Sequence, residues 1–190
     1  MTNFRTTITI AGKQHDTLMD ILPDKASMKI LFIAKTPAEV SVKAGHYFQG
    51  KQGKMFWKKL SEYNILKVPN GMFEDECLLS NNFGITDIVK IPRNYGDEPS
   101  DEEYKNGLQR ILSIINTRKP KVIVFVYKRV LDNIVRLNFN VQTKSNYGFN
   151  PELEKYFNSK VFAFPMPGTP CKTADAIKLM TELKNLLEGK

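Results

Sequence analysis

Apolar residues along the chain fall into short continuous runs separated by helical stripes. Met28-Lys29-Ile30-Leu31-Phe32-Ile33-Ala34 is one such run; it ends in Lys35-Thr36-Pro37, where the proline stops a regular element. A buried strand followed by a loop is the expectation. Residues 122–127, Val-Ile-Val-Phe-Val-Tyr after Lys119-Pro120, are continuous and β-branched, as in strands covered on both faces in a parallel sheet. Val161-Phe162-Ala163-Phe164 repeats the pattern before Pro165, and residues 85–91 make a less regular fourth candidate. Between these runs, Tyr104, Leu108, Ile111, Leu112 and Ile115 share one helical face, with Ser100 and Asp101 as candidate caps. Ile177, Met180, Leu183 and Leu187 form a second stripe after the candidate cap Thr173, and residues 56–63 and 130–137 suit shorter helices. Strands alternating with helices predict a three-layer α/β/α sandwich around a central, mostly parallel four-stranded sheet. One domain over residues 1–190 is expected, with 1–15 as an N-terminal extension.

Composition narrows the class. At 190 residues, 42% apolar and 25% charged, the chain can bury a sizeable core, and disorder, collagen and a disulfide-stapled miniprotein are excluded. The longest apolar runs fall far short of the ~18 to 20 residues of a membrane span. Residues 1–10 alternate Thr with Ile and lack a basic start before a long apolar stretch, so no signal peptide and a cytoplasmic home are expected. Cys77 and Cys171 stand far apart with no C-x-x-C or His-rich partner, so no structural metal site is expected.

Charge adds a partner class. The formal charge is +8 and the isoelectric point about 9.4, which favours a polyanion, nucleic acid first. Lys35, Lys43, Lys51, Lys54, Lys58, Lys59 and Lys67 crowd one stretch beside only Glu39 and Glu62, whereas residues 74–103 are acid-rich. One basic face fits this distribution, and so does a surface merely solvated by lysine. Ligands of parallel sheets gather outside the carboxyl ends of the strands, which selects the loops at residues 35–48, 90–99 and 165–173.

Those loops carry a resemblance. Leu18-Met19-Asp20-Ile21-Leu22-Pro23, the run from Lys29 to Pro37, Gly45-His46-Tyr47-Phe48 and Phe56-Trp57-Lys58 together resemble the uracil-DNA glycosylase superfamily, above all its mismatch-specific uracil and thymine-DNA glycosylase branch. That branch has Gly-Ile-Asn-Pro-Gly as its first motif, then Gly-x-x-Phe, then a helix opening on Phe-Trp. Phe83-Gly84-Ile85-Thr86-Asp87-Ile88-Val89 is similar to its Gly-Val/Phe-Thr-x-x-Val segment, and Phe164-Pro165-Met166-Pro167-Gly168-Thr169 to its Leu-Pro-Asn-Pro-Ser-Gly. The similarity is colinear over roughly residues 16 to 188.

The resemblance implies a DNA glycosylase of base excision repair, working without cofactor or metal as a monomer on double-stranded DNA with a lesion or mismatch. A deaminated or damaged base flips into a pocket, stacks on an aromatic ring, and is cut from its sugar. Phe48 matches the stacking position. The family holds a water with Asn or Asp in the first motif and supports the leaving base with His or Asn in the second. Here these positions are Thr36 and Met166. A threonine hydroxyl orients water but is no general base near neutral pH, and a thioether offers no donor to a developing anion. One such loss costs on the order of 3 kcal/mol, about a hundredfold in rate.

Local substitutes are available. His46, suited by its intrinsic pKa, and Glu39, closer to the motif, are candidates for positioning water. Backbone N–H groups near Ala38 and Gly168 are candidates for polarity beside the base. Lys35 is either a Schiff-base nucleophile or a solvent-facing lysine. Lys43, Lys51 and Lys54 are candidate DNA contacts. In the 168–172 loop, Pro170 either wedges into the duplex while Lys172 meets phosphate, or the segment is a turn before the last helix. Phe56 and Trp57 read as core anchors, and Asp87 either touches the pocket or caps a turn. Two functions remain open: a glycosylase, or a glycosylase-like fold that binds DNA or a protein without catalysis.

Overall fold

The computed structural model describes residues 2–24, 27–94, 96–142 and 144–189. Its centre is a five-stranded sheet in the order β4-β3-β5-β7-β6, formed by β3 (Ile30–Ala34), β4 (Phe83–Asp87), β5 (Val122–Phe125), β6 (Gly148–Phe149) and β7 (Lys160–Ala163). The first four in that order are mutually parallel, and β6 joins β7 antiparallel. The sheet thus has one strand more than the expected four. Two residues carry no apolar run, so β6 leaves no periodic signal in the sequence.

Alternation along the strands builds two cores. Ile30, Phe32, Val122, Val124 and Phe162 face one layer, with α2 (Lys51–Glu62) and α6 (Thr173–Glu188) supplying Phe56, Trp57, Leu60, Met180 and Leu183. Leu31, Ile33, Ile123, Phe125 and Val161 face the other, against α3 (Asp101–Arg118) and α4 (Lys128–Phe139). Both faces are covered, which is why these strands read as unbroken apolar runs. The α/β/α sandwich is as expected. Ser100 caps α3 in a box with Glu103, whereas Lys172, not Thr173, stands at the N-cap of α6.

Two regions add to the expectation. The N-terminal extension carries a hairpin in which β1 (Arg5–Ile10) pairs with β2 (Lys13–Leu18). Positive φ at Ala11 and Gly12 gives the turn the twist that two-residue hairpins favour. Phe4 is buried in the core, and its N–H donates to Gly45 O at 2.9 Å. The candidate strand at 85–91 lies two residues earlier, at Phe83–Asp87, because Ile88 and Val89 leave the sheet to pack under α3. Among the described residues no helix is long and apolar enough to cross a membrane.

Candidate functional site

The parallel strands end level with one another. Ala34 pairs with Asp87, Ile33 with Phe125, and Phe125 with Ala163, so the loops that follow leave the same rim. The loops after β3 and β4 are then zipped together: Ile88, Val89 and Arg93 donate their N–H groups to Ala34, Lys35 and Pro37 carbonyls at 2.9 to 3.0 Å. Thr36 is half-buried in this zipper, two residues beyond the Ala34–Asp87 pair. Ala38 is exposed and begins the short helix α1 (Glu39–Ala44), which the sequence presented as loop because no side chain caps it.

Phe48 stands on the connection between α1 and α2. Its ring is half-buried, 5.0 Å from the Phe56 ring and 5.7 Å edge-on to Trp57. Phe56 lies 5.0 Å from Phe164, so a row of rings joins Phe48 to the start of the loop after β7. The Phe48 backbone is left-handed, φ 58°, a conformation costing a non-glycine residue about 1 to 2 kcal/mol. Gly53 permits the approach, since a Cβ there would lie 2.5 Å from Phe48 Cα, Cβ and O. Phe56 and Trp57 are core residues, as expected.

The second-motif loop is tight and apolar. Met166 is 5% exposed, and its carbonyl accepts from both the N–H and the hydroxyl of Thr169, at 3.3 and 2.7 Å. Gly168 at φ 82° and Pro170 are exposed in this loop, as is Lys172 at its end. Lys43, Lys51 and Lys54 are exposed on α1 and α2.

The candidate water-positioning groups, His46 and Glu39, sit in different surroundings. His46 is 3% exposed, its Nδ1 2.8 Å from Asp75 Oδ1 and its ring stacked 3.6 Å from that of Phe73. It is a buried anchor of its own loop. Glu39 is exposed and lines, with Arg5, Asp16, Val42, Lys43 and Pro92, an open hollow of about 260 Å³ between the hairpin and α1. Lys35 Nζ donates to Asp97 O at 2.7 Å and Glu98 Oε2 at 3.1 Å, so the ammonium is engaged rather than solvated.

A polar cluster at the end of β4 surrounds Asp87, which the sequence left as a pocket or turn residue, and adds Lys90 and Arg110 to it. Asp87 is 1% exposed, and its Oδ2 accepts no hydrogen bond among the described residues. Burial pushes its carboxyl up to about 6; Lys90 and Arg110 oppose the shift and Asp20 adds to it. Lys90 Nζ bridges Asp20 Oδ1 at 2.8 Å and the Tyr47 hydroxyl at 3.2 Å. Arg110 bonds Asp20 and the Asp87 carbonyl. Burial raises the Asp20 carboxyl, but these two cations hold it below its ordinary value. Tyr47, one residue before Phe48, ties this cluster to the Phe48 turn. An acid three residues before a Lys at the end of an apolar strand is the only sequence sign, and it is shared with ordinary turns.

The fold is an open, mostly parallel α/β sheet whose strand-end loops are zipped together, with the Phe48 ring on the connection between α1 and α2. The family model described as the uracil DNA glycosylase superfamily matches residues 22–170, and the chain belongs to that superfamily. A search of curated proteins finds no match to it.

Proposed function

We propose that the chain is a DNA glycosylase that flips a deaminated or damaged base from duplex DNA and hydrolyses its N-glycosidic bond, in the manner of the mismatch-specific uracil and thymine-DNA branch. The observation that carries this reading is Phe48: a half-buried aromatic ring, held in a left-handed turn at the rim of a superfamily fold. Such a ring offers a face to a flipped base. Thr36 orients the attacking water, whose oxygen adds to the anomeric carbon as the bond to the base nitrogen breaks. The electron pair leaves with the base, and the proton the water gives up passes to solvent or to the departing base. Backbone N–H groups near Ala38 and Gly168 supply what polarity the leaving base receives. The reaction as proposed needs no cofactor or metal, and a single domain acting as a monomer suffices.

Lys43, Lys51, Lys54 and Lys172 are assigned to phosphate contacts and Pro170 to the gap left by the base. Support comes from α2, whose first turn holds lysine and no acid. Cations there oppose the positive end of the helix dipole, an arrangement unfavourable for the helix and attractive to phosphate.

A second reading is favoured by one observation: Met166, the position to which the resemblance assigns the leaving-base donor, is a thioether buried in the core. The chain is then a base-holding DNA-binding protein without excision. An excision panel over uracil, hypoxanthine and mismatched thymine in duplex DNA tests both. Abasic product supports the glycosylase; salt-dependent binding with no product supports the second reading; neither result removes both.

A further inference from the structure

The turn that carries Phe48 is fastened on both sides. The Tyr47 N–H donates to Asp75 Oδ2 at 2.7 Å, and the Tyr47 carbonyl accepts from Trp57 Nε1 and Gln49 Nε2, each at 3.1 Å. The Tyr47 hydroxyl donates to Met19 O at 3.0 Å, and the Gln49 N–H to Ser41 Oγ at 3.1 Å. Phe48 itself sits at φ 58°. A bulky residue stays in that conformation only where its surroundings over-determine it, and such places cluster at functional sites.

Asp75 is the fastener that packing alone does not explain. It is 0% exposed, stands in the 3-10 turn Glu74–Cys77, and commits both oxygens to this loop, Oδ1 to His46 and Oδ2 to Tyr47. Burial raises its carboxyl, while the Tyr47 N–H and His46 pull it back. A buried ionisable pair is poor evidence of stabilisation, since an apolar residue of similar volume often serves as well or better. His46 completes the clasp: its ring is sandwiched between Phe73, stacked at 3.6 Å, and Phe4, edge-on at 5.8 Å. The N-terminal segment, the 3-10 turn and the loop meet at this pair.

We propose that Asp75, held by His46, is a positioning residue for the base-stacking ring, acting through the Tyr47 N–H to keep Phe48 presented before DNA arrives. The inference rests on the reading of Phe48 as the stacking platform. Its benefit is preorganisation: a turn already held in its bound form loses less freedom on binding.

A double-mutant cycle with Phe48→Ala tests it, read as affinity for a short duplex with one U·G mismatch, well below the melting temperature of every variant. Phe48→Ala weakens binding about tenfold, the size of one base–aromatic stack. Asp75→Ala weakens the wild type by about fivefold but the Phe48→Ala protein by less than about twofold, the signature of coupled residues. Asp75→Asn, which keeps an acceptor for the Tyr47 N–H, returns affinity to within about twofold of wild type. If Asp75→Ala does not fold, His46→Phe enters the same cycle with the same expectation, because it keeps the stack on Phe73 and drops the bond to Asp75. Equal losses in both backgrounds, or no loss from Asp75→Ala, overturn the positioning role and leave the reading of Phe48 standing. Unchanged affinity in Phe48→Ala overturns that reading, and this inference with it.

Discussion

Asp87 Oδ2 and Lys90 Nζ face each other across 3.7 Å, too far for a hydrogen bond, with the carboxyl buried from solvent. The carboxyl therefore titrates at about 6 in the folded chain against an ordinary 3.8. The native state retains this proton over a window in which the unfolded state has lost it. Stability falls as pH rises from about 4 to about 6 and stays lower above that, the sign for a raised acid. Asp87→Asn removes the dependence. We expect the variant to gain up to about 3 kcal/mol near neutral pH and nothing near pH 4, by urea denaturation at both. No gain at either pH would mean that Lys90 already compensates the charge.

The same residue marks where the sequence was legible and where it was not. The strands β3, β5 and β7 were readable because both faces are buried, so each is an apolar run. The hairpin was not, because its alternating Thr and Ile are only partly buried and signal no core. Phe48 was marked by motif and spacing, but the setting of His46 was not: it meets Asp75 across 29 positions of chain, a pairing no local pattern encodes. For Asp87 the residue type was visible, whereas its burial comes from packing between β4, Tyr47 and α3.

In the proposed glycosylase reading, Thr36 and Met166 stand where the resemblance implies a water-holding residue and a leaving-base donor. Restoring Asn at each supplies a carboxamide to hold water and a donor to the leaving base. Excision of uracil in single-turnover assays should rise about a hundredfold for each change that reaches the reacting atoms. Met166→Asn also buries a polar group at a 5% exposed site and should lower stability by about 1 to 3 kcal/mol. Rates unchanged by the double substitution would remove these positions from the site.

Lys51 and Lys54 lie in the first turn of α2, where the proposed phosphate contacts and helix stability pull apart. Replacing either by Gln should flatten the dependence of log affinity on log salt by about 0.9 for each phosphate no longer neutralised. The same change relieves the helix dipole and should raise stability by about 0.3 to 1 kcal/mol. Parallel salt titrations and thermal melts separate the two effects. A slope unchanged in both variants would reduce these lysines to surface solvation.

Gly53 poses a conflict between local propensity and packing that one substitution decides. In an isolated helix, Gly→Ala at an interior position would gain about 1 kcal/mol. Here the new Cβ would meet Phe48 Cα, Cβ and O at 2.5 Å, and two of those atoms are backbone that cannot rotate away. Relief requires the Phe48 turn to move, against the bonds that hold Tyr47 and Gln49. Overpacking costs about 1 to 3 kcal/mol, so the clash should outweigh the propensity and Gly53→Ala should melt lower than wild type. Trp57, the sole tryptophan, reports the displacement directly, because its indole N–H bonds the Tyr47 carbonyl and its ring lies 5.7 Å from Phe48. A red-shifted emission with weakened DNA binding is expected; a stabilised variant with unchanged emission would show that the turn has room to yield and that Phe48 is not held as described.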